Sequence, residues 1–438
     1  MQLIIAGAKL QNHLILKGDE MELKTYIELI RQHILENYQG MYREAGDNLP
    51  YPFLTPGSEQ YADVLWDWDS WLSNVALRQV LSESDDPDAS SQAVEYEQGC
   101  VLNYLSYGGM YGWLPILITR GVEVERPAQI FEENMHKPVL AQHAAFIVQQ
   151  CGDAEWLREK MYHLLTFINN YSSHHRHESG LYYWQTDRMI GVDNDPSTFY
   201  RPRKSSGSLY LNCLMLRELQ AGAFLCDKLQ LDEVAIHLRK EEDDLRNALQ
   251  EHCWDERDGY FYSVDLNLLP VDHTAWLHSG YPRHWNTLIQ RIGVWTGFMA
   301  LWAGLATPEQ AERIVQEHYR NEKTFNAPYG VRSLSKLEKM YSIRATGNPS
   351  SWLGPVWGIV NYMTFRGLIK YGYEDDARVL AEKTIKLFGR DVERFGAFHE
   401  YYQPENGEPI LNRGFQNWNF LVLNMIAWLE GREAVVEF

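Results

Sequence analysis

Segments of helical period recur from one end of this chain to the other and leave room for little else. In Glu20 to Tyr38 the apolar residues Met21, Leu23, Tyr26, Ile27, Leu29, Ile30, Ile34 and Leu35 keep helical spacing. The same pattern returns in Asp69 to Leu81, Ala89 to Tyr107, Lys137 to Gln150, Ala154 to Tyr171, Ser206 to Leu229 and Asp232 to Cys253. It continues in Trp295 to Ala306, Pro308 to Tyr319, Trp352 to Tyr371, Glu374 to Phe388 and Phe415 to Glu430. Thr307-Pro308-Glu309 opens one of these with proline at its first helical position. The spacing therefore predicts an all-α chain of about a dozen helices.

That number is what an (α/α)6 barrel uses, and we expect one, with 1–438 as a single domain. The connections alternate in character. Leu229-Gln230-Leu231 is short, whereas Tyr51 to Trp68, Tyr107 to His136, Glu178 to Arg203, Asp255 to Arg291, Tyr319 to Ser351 and Gly389 to Gly414 are long and rich in aromatics and acids. Long ordered loops carry function more often than short ones. Gathered at one end of a barrel, with short β-hairpins among them, they would build a deep polar cleft and the active-site end.

Charge and composition narrow the partners. The net charge of −19, from 59 acidic and 40 basic residues, repels a phosphate backbone and an anionic membrane. No apolar run approaches a bilayer's thickness, and no signal segment is evident. Five scattered cysteines without a CxxC pair read as reduced thiols, so the expected location is the cytoplasm. Oligomeric state stays open, a homo-oligomer included.

Fifteen tryptophans and 26 tyrosines exceed what a helical core needs. Their flat apolar faces with polar edges suit a sugar ring, although many must simply seal the core. They cluster near acids, and four segments stand out. Leu65-Trp66-Asp67-Trp68-Asp69-Ser70-Trp71 sets two acids among three indoles. Asp69 can accept from two sugar hydroxyls while Trp66 or Trp68 stacks on the ring; the competing role is a helix cap. In Ile190-Gly191-Val192-Asp193-Asn194-Asp195-Pro196, Gly and Pro bracket a turn that can project one carboxyl, or merely form an Asx turn. Ser351-Trp352-Leu353-Gly354-Pro355-Val356-Trp357 can line a pocket or pack in the core. Phe398-His399-Glu400-Tyr401-Tyr402 reads as a strand before a turn, with Glu400 placed to activate a water or to pair with a surface arginine. Downstream, Gly414-Phe415-Gln416-Asn417-Trp418 adds further polar and aromatic groups.

Two basic features need weighing. His174-His175-Arg176-His177-Glu178 looks metal-like, but a helix C-terminus favours such side chains without any ion. No metal or cofactor is expected. Arg203, in Arg201-Pro202-Arg203-Lys204, can grip a substrate carboxylate or stay solvated. Nucleotide-binding, metalloprotease and serine-hydrolase motifs are absent from the sequence.

Taken in order, Trp68-Asp69, Val192-Asp193-Asn194-Asp195-Pro196, Gly354-Pro355-Val356-Trp357 and Phe398-His399-Glu400-Tyr401-Tyr402 resemble glycoside hydrolase family 63. The likeness is nearest to its compact bacterial mannosylglycerate and glucosylglycerate hydrolases, and more distant to family 37 trehalases. The resemblance implies an (α/α)6 barrel and inverting hydrolysis of small α-glucosides or α-mannosides. It implies Asp193 as general acid, Glu400 as general base, Asp69 as a sugar ligand and Trp357 as a pocket wall. Tyr401, Trp418, Trp66 and Trp68 are expected beside the substrate. So is Lys137, which stands where those relatives carry a glutamine. Met189-Ile190-Gly191-Val192 also replaces their Glu-Ser-Gly. The rivals are another (α/α)6 enzyme, a sugar epimerase or phosphorylase, and a non-catalytic carbohydrate-binding protein. An epimerase would want paired histidines, for which His143, His278 and His399 are available.

Overall fold

The structure is a computed structural model and describes residues 21–84, 88–268, 286–344 and 350–438. His278 lies outside them, as does part of the connection from Tyr319 to Ser351.

The helices are α1, described over 21–37, α2 (Asp67–Ser82), α3 (Ala89–Ser106), α4 (Leu140–Cys151), α5 (Met161–His174), α6 (Leu209–Lys228) and α7 (Asp232–Cys253). They continue with α8 (Met299–Trp302), α9 (Pro308–Arg313), α10 (Gly358–Lys370), α11 (Glu374–Phe395) and α12 (Val422–Leu429). Two kinds alternate. α2, α4, α6 and α10 are buried almost all round, the signature of helices inside a core. α7 and α11 bury one stripe each, Leu238, Leu245 and Leu249 in α7 and Leu380, Ile385 and Phe388 in α11. The buried set forms a cycle of neighbours. α2 packs on α4, α4 on α6, α6 on α8, α8 on α10, α10 on α12, and α12 returns to α2. α7 covers α6 and α11 covers α10 from outside.

Several polar side chains inside this cycle are paired, as burial favours. The Glu218 carboxylate of α6 accepts from the backbone N–H of Ala141 at 2.7 Å and of Gln142 at 3.1 Å. These are orphan donors of the first turn of α4. His143 bonds Asn74 at 2.9 Å, and Asn74 bonds Glu97 at 2.6 Å.

Several helices start later than their periodicity predicts. The Gly354-Pro355 turn is followed by a strand, Val356–Trp357, before α10 begins. Lys137 and Pro138 precede α4 instead of opening it. Phe415 to Leu421 holds a 3-10 turn, Asn417–Leu421, ahead of α12. The cap at Thr307 is as predicted: its hydroxyl accepts from Gln310 N at 3.2 Å, and Gln310 Oε1 accepts from Thr307 N at 2.9 Å.

Among the described residues six small antiparallel sheets of two or three strands lie in the connections. Two matter for function. Val64–Trp66 pairs with Leu117–Thr119, setting Trp66 opposite Leu117. Val356–Trp357 pairs with Tyr401–Tyr402, setting Trp357 opposite Tyr401, and Tyr401–Tyr402 pairs onward with Pro409–Leu411.

Candidate active site

The loop that carries Asp193 is built by division of labour. Ile190 and Val192 are fully buried and anchor it. Asp195 makes the Asx turn, accepting from Ser197 N at 2.8 Å. Asn194 Oδ1 accepts from Trp352 N at 2.6 Å and ties the loop to the opposite wall. Gly191 has φ +91°, and a Cβ there would stand 2.8 Å from Lys137 Cε and 3.0 Å from Trp68 Cζ2. Only glycine fits this backbone against those two side chains. The half-buried Asp193 is the acid left facing the cavity.

The other wall is set by the strand Tyr401–Tyr402. Glu400, just before it, is 5% exposed. Tyr61 donates to Glu400 Oε1 at 3.4 Å, and the Asn412 amide donates both to Glu400 Oε2 and to the Tyr61 hydroxyl, the latter at 3.2 Å. Burial pushes the Glu400 carboxyl up to about 7; Asn412 and Tyr61 oppose that rise, and the charge of Asp193 adds to it.

Asp193 and Glu400 face the same cavity of about 140 Å³, along with Trp66, Trp68, Asp69, Lys137, Trp357 and Trp418. Its size admits on the order of ten water-sized groups, which matches one pyranose with its hydroxyls. Asp69 accepts from Asn417. Burial first, then the neighbouring Asp67, raise Asp69 to about 8, against the pull of Lys137. The indole N–H groups of Trp66 and Trp418 are buried and make no hydrogen bond among the described residues, so both can donate to a ligand hydroxyl.

Three residues expected at the substrate have protein partners of their own. The Lys137 ammonium is committed to Asp67, at 2.9 and 3.0 Å from its two oxygens, and lies 5.5 Å over the Trp68 ring. Tyr401 is not among the cavity-lining residues. It stacks on Trp357 at 4.5 Å, Trp357 stacks on Trp352 at 4.1 Å and 6°, and Trp295 extends the column. Trp357 thus presents an edge to the cavity, held by its N–H bond to Ser351 O at 2.9 Å. Arg203 is exposed and outside this cavity, donating to the Glu132 carbonyl and lying 3.6 Å from Glu133. Sequence reasoning missed Tyr61, Asn412 and Asn417. The one visible signal was the density of polar groups from Asn412 to Trp418.

Among the described residues no group of three or more His, Cys, Asp or Glu is arranged to hold a metal ion. The His174 ring stacks on Phe131 at 3.8 Å, His175 is buried beside Tyr171, and His177 bonds Ser179. The three rings diverge. His143 is buried and depressed to about 3, and His399 pairs with Asp391 at 3.0 Å, so neither is presented as a paired proton relay.

A cavity lined by indoles and opening on three carboxyls belongs to a carbohydrate-processing fold, and comparison with known proteins agrees. The chain belongs to the mannosylglycerate hydrolase MGH1-like glycoside hydrolase family, whose domain matches residues 62–419. Mannosylglycerate hydrolase MGH1 of Selaginella moellendorffii is 29% identical over 30% of this chain and 24% of its own. The mannosylglycerate hydrolase of Thermus thermophilus is 28% identical over 50% of this chain and 52% of its own. The aligned part therefore spans from about a quarter to about a half of these curated relatives. The crystal structure of a GH63 mannosylglycerate hydrolase from Thermus thermophilus in complex with glucose shares the fold, with a TM-score of 0.65 at 22% identity. It matches 90% of this chain and 99% of that one.

Proposed function

We propose that this chain is an inverting hydrolase of small α-glucosides or α-mannosides, working by general acid and base catalysis on an (α/α)6 barrel formed as one domain. The observation that carries the reading is that Asp193 and Glu400 open on one indole-lined cavity and act on each other electrostatically. The cycle from α2 through α12 back to α2 supports the barrel.

In this mechanism the sugar sits among Trp66, Trp68 and Trp418, with Asp69 accepting from its hydroxyls. Asp193 gives its proton to the glycosidic oxygen as the C–O bond breaks. Glu400 takes a proton from a water attacking the opposite face of the anomeric carbon. Inversion leaves that water between the carboxyls, which the mechanism sets ~6.5–9.5 Å apart. The productive form holds one proton, on Asp193. Tyr61 and Asn412 favour this form because they donate to Glu400. Lys137 holds up the Asp193 loop and Trp68, and Tyr401 backs Trp357.

A cytoplasmic setting is supported by five cysteines without a disulfide. Among the described residues no helix is long and apolar enough to cross a membrane.

The test is hydrolysis of a panel of α-glucosides and α-mannosides, glycerate glycosides included, by the wild type and by Asp193→Asn and Glu400→Gln. Each variant is expected to lose at least ~10²-fold in kcat while keeping its unfolding midpoint. Near-normal turnover in either variant refutes the assignment. Phosphate-dependent turnover would instead favour the phosphorylase.

A further inference from the structure

Asp69 is held from its own helix and from the far end of the chain. It stands in the first turn of α2, and Ser73 follows one turn later on the same face. Asn417 lies against both. Its Nδ2 donates to Asp69 Oδ1 at 2.5 Å, and the Ser73 hydroxyl donates to its Oδ1 at 3.1 Å. Turning the amide over would set its oxygen against the Asp69 carboxyl, so the two neighbours fix its orientation. Ser73 and Asn417 are fully buried, and neither is among the cavity-lining residues. Asn417 therefore meets the cavity through Asp69.

The backbone is shaped for this contact. Asn417 has φ +37°, in the left-handed region that asparagine tolerates better than most residues. Gln416 N donates to Pro56 O at 3.1 Å, and the Asn419 side chain donates to His399 O at 2.7 Å. The turn is thus tied to the residue just before Glu400, and its next residue, Trp418, lines the cavity. One rigid turn references the sugar ligand and the base to each other.

Asp69 has need of a donor. Burial, then Asp67, raise its carboxyl to about 8; Glu400 adds to the rise and Lys137 opposes it. The hydroxyls of Tyr61, Tyr104 and Tyr210 also lie within reach of its charge. A donor on one oxygen stops the carboxyl from rotating and favours its charged, accepting form.

We infer that Asn417 is a positioning residue for sugar binding: oriented by Ser73, it holds the Asp69 carboxyl in the rotamer that meets the sugar hydroxyls. The inference rests on the hydrolase reading above and adds to it a residue that touches no substrate.

The experiment measures KM and kcat of the wild type, Asn417→Leu, Asn417→Asp and Ser73→Ala on the best substrate of the panel between pH 5.5 and 9.5. Each variant is divided by the wild type at the same pH, so the titration of Glu400 cancels. Asn417→Leu removes the donor at every pH, and KM should rise about tenfold throughout, the worth of one hydrogen bond to a charged group. Asn417→Asp sets a second carboxyl against Asp69. With a proton between them the introduced group donates as the amide did, so KM should stay within about threefold of the wild type at pH 5.5 and climb towards the Asn417→Leu value at pH 9.5. Ser73→Ala keeps the donor but frees the amide, and should raise KM about threefold. KM does not depend on the folded fraction, so partial instability leaves the readout intact; where an Asn417 variant gives no folded enzyme, Ser73→Ala decides. A fall in kcat with KM within twofold of the wild type means that Asn417 only supports the fold, and overturns the role. A KM that Asn417→Asp raises equally at every pH overturns it too. Hydrolysis of none of the panel by the wild type overturns both this role and the hydrolase reading, whereas hydrolysis with an unmoved KM in the variants overturns the role alone.

Discussion

Asn412 donates a hydrogen bond to the Glu400 carboxylate from a backbone held at φ +48°. Asparagine is one of the few side chains that tolerates this left-handed region. Its amide also reaches the Tyr61 hydroxyl at 3.2 Å. Both groups stabilise the ionised carboxylate against burial, which drives it upward together with the charge of Asp193.

The first prediction follows from that balance. With Glu400 at about 7, a base must lose its proton to work, so kcat/KM should climb as pH rises through 7. Asn412→Ala leaves burial and Asp193 less opposed. The acidic limb should then move to higher pH by about one unit, with lost rate largely recovered at alkaline pH. A pH profile of kcat/KM checks this; a uniform fall with an unmoved limb would mean that Asn412 only holds the fold.

Lys137 and Asp67 provide a second. Their pair is sealed under Trp68, with side-chain exposures of 2% and 0%. Removing one partner from a buried pair costs about 3–5 kcal/mol, because the other charge is left uncompensated. Lys137→Met should lose that much in urea unfolding, and adding Asp67→Asn should restore most of it. Equal losses from the single and double variants would show that packing, not charge, is at stake.

The third concerns Glu437, whose carboxylate accepts from Trp302, Tyr362 and Arg366 between 2.7 and 3.1 Å. Burial pushes this carboxyl up, but Arg366 and Tyr362 outweigh it and hold it at about 2, below the usual 4.5. A depressed folded value stabilises at pH above 4.5, and the gain drains away as pH falls from 4.5 towards 2. Glu437→Gln should cost about 3 kcal/mol at pH 7 and much less at pH 3. Unfolding midpoints at the two pH values decide it; an equal cost at both would remove the charge from the explanation.

Much of this architecture was legible from periodicity, since helices that bury a stripe repeat it every turn. The boundaries that slipped are those where distant pairing takes over. Trp352 to Trp357 scans as the start of a helix, yet Trp357 pairs with Tyr401, 44 positions away, and helix α10 waits until Gly358. Asp193, Glu400, Asp69 and the four expected tryptophans, which line one cavity, were legible because each sits in a short, unusual motif. Lys137 and Arg203 were given to substrate because their carboxylate neighbours, Asp67 and Glu133, lie 70 residues away in each case. Asn412 had no motif at all; Leu-Asn-Arg-Gly reads as an ordinary turn until folding sets it against Glu400.

The most direct test of the central claim is the anomer released first. Proton NMR during the first minutes of α-glucoside hydrolysis should show the β-anomer ahead of mutarotation, and the signal should vanish in Asp193→Asn and Glu400→Gln. If the α-anomer comes first, the two carboxyls do not act across a water, and the account given for Asp193 and Glu400 is wrong.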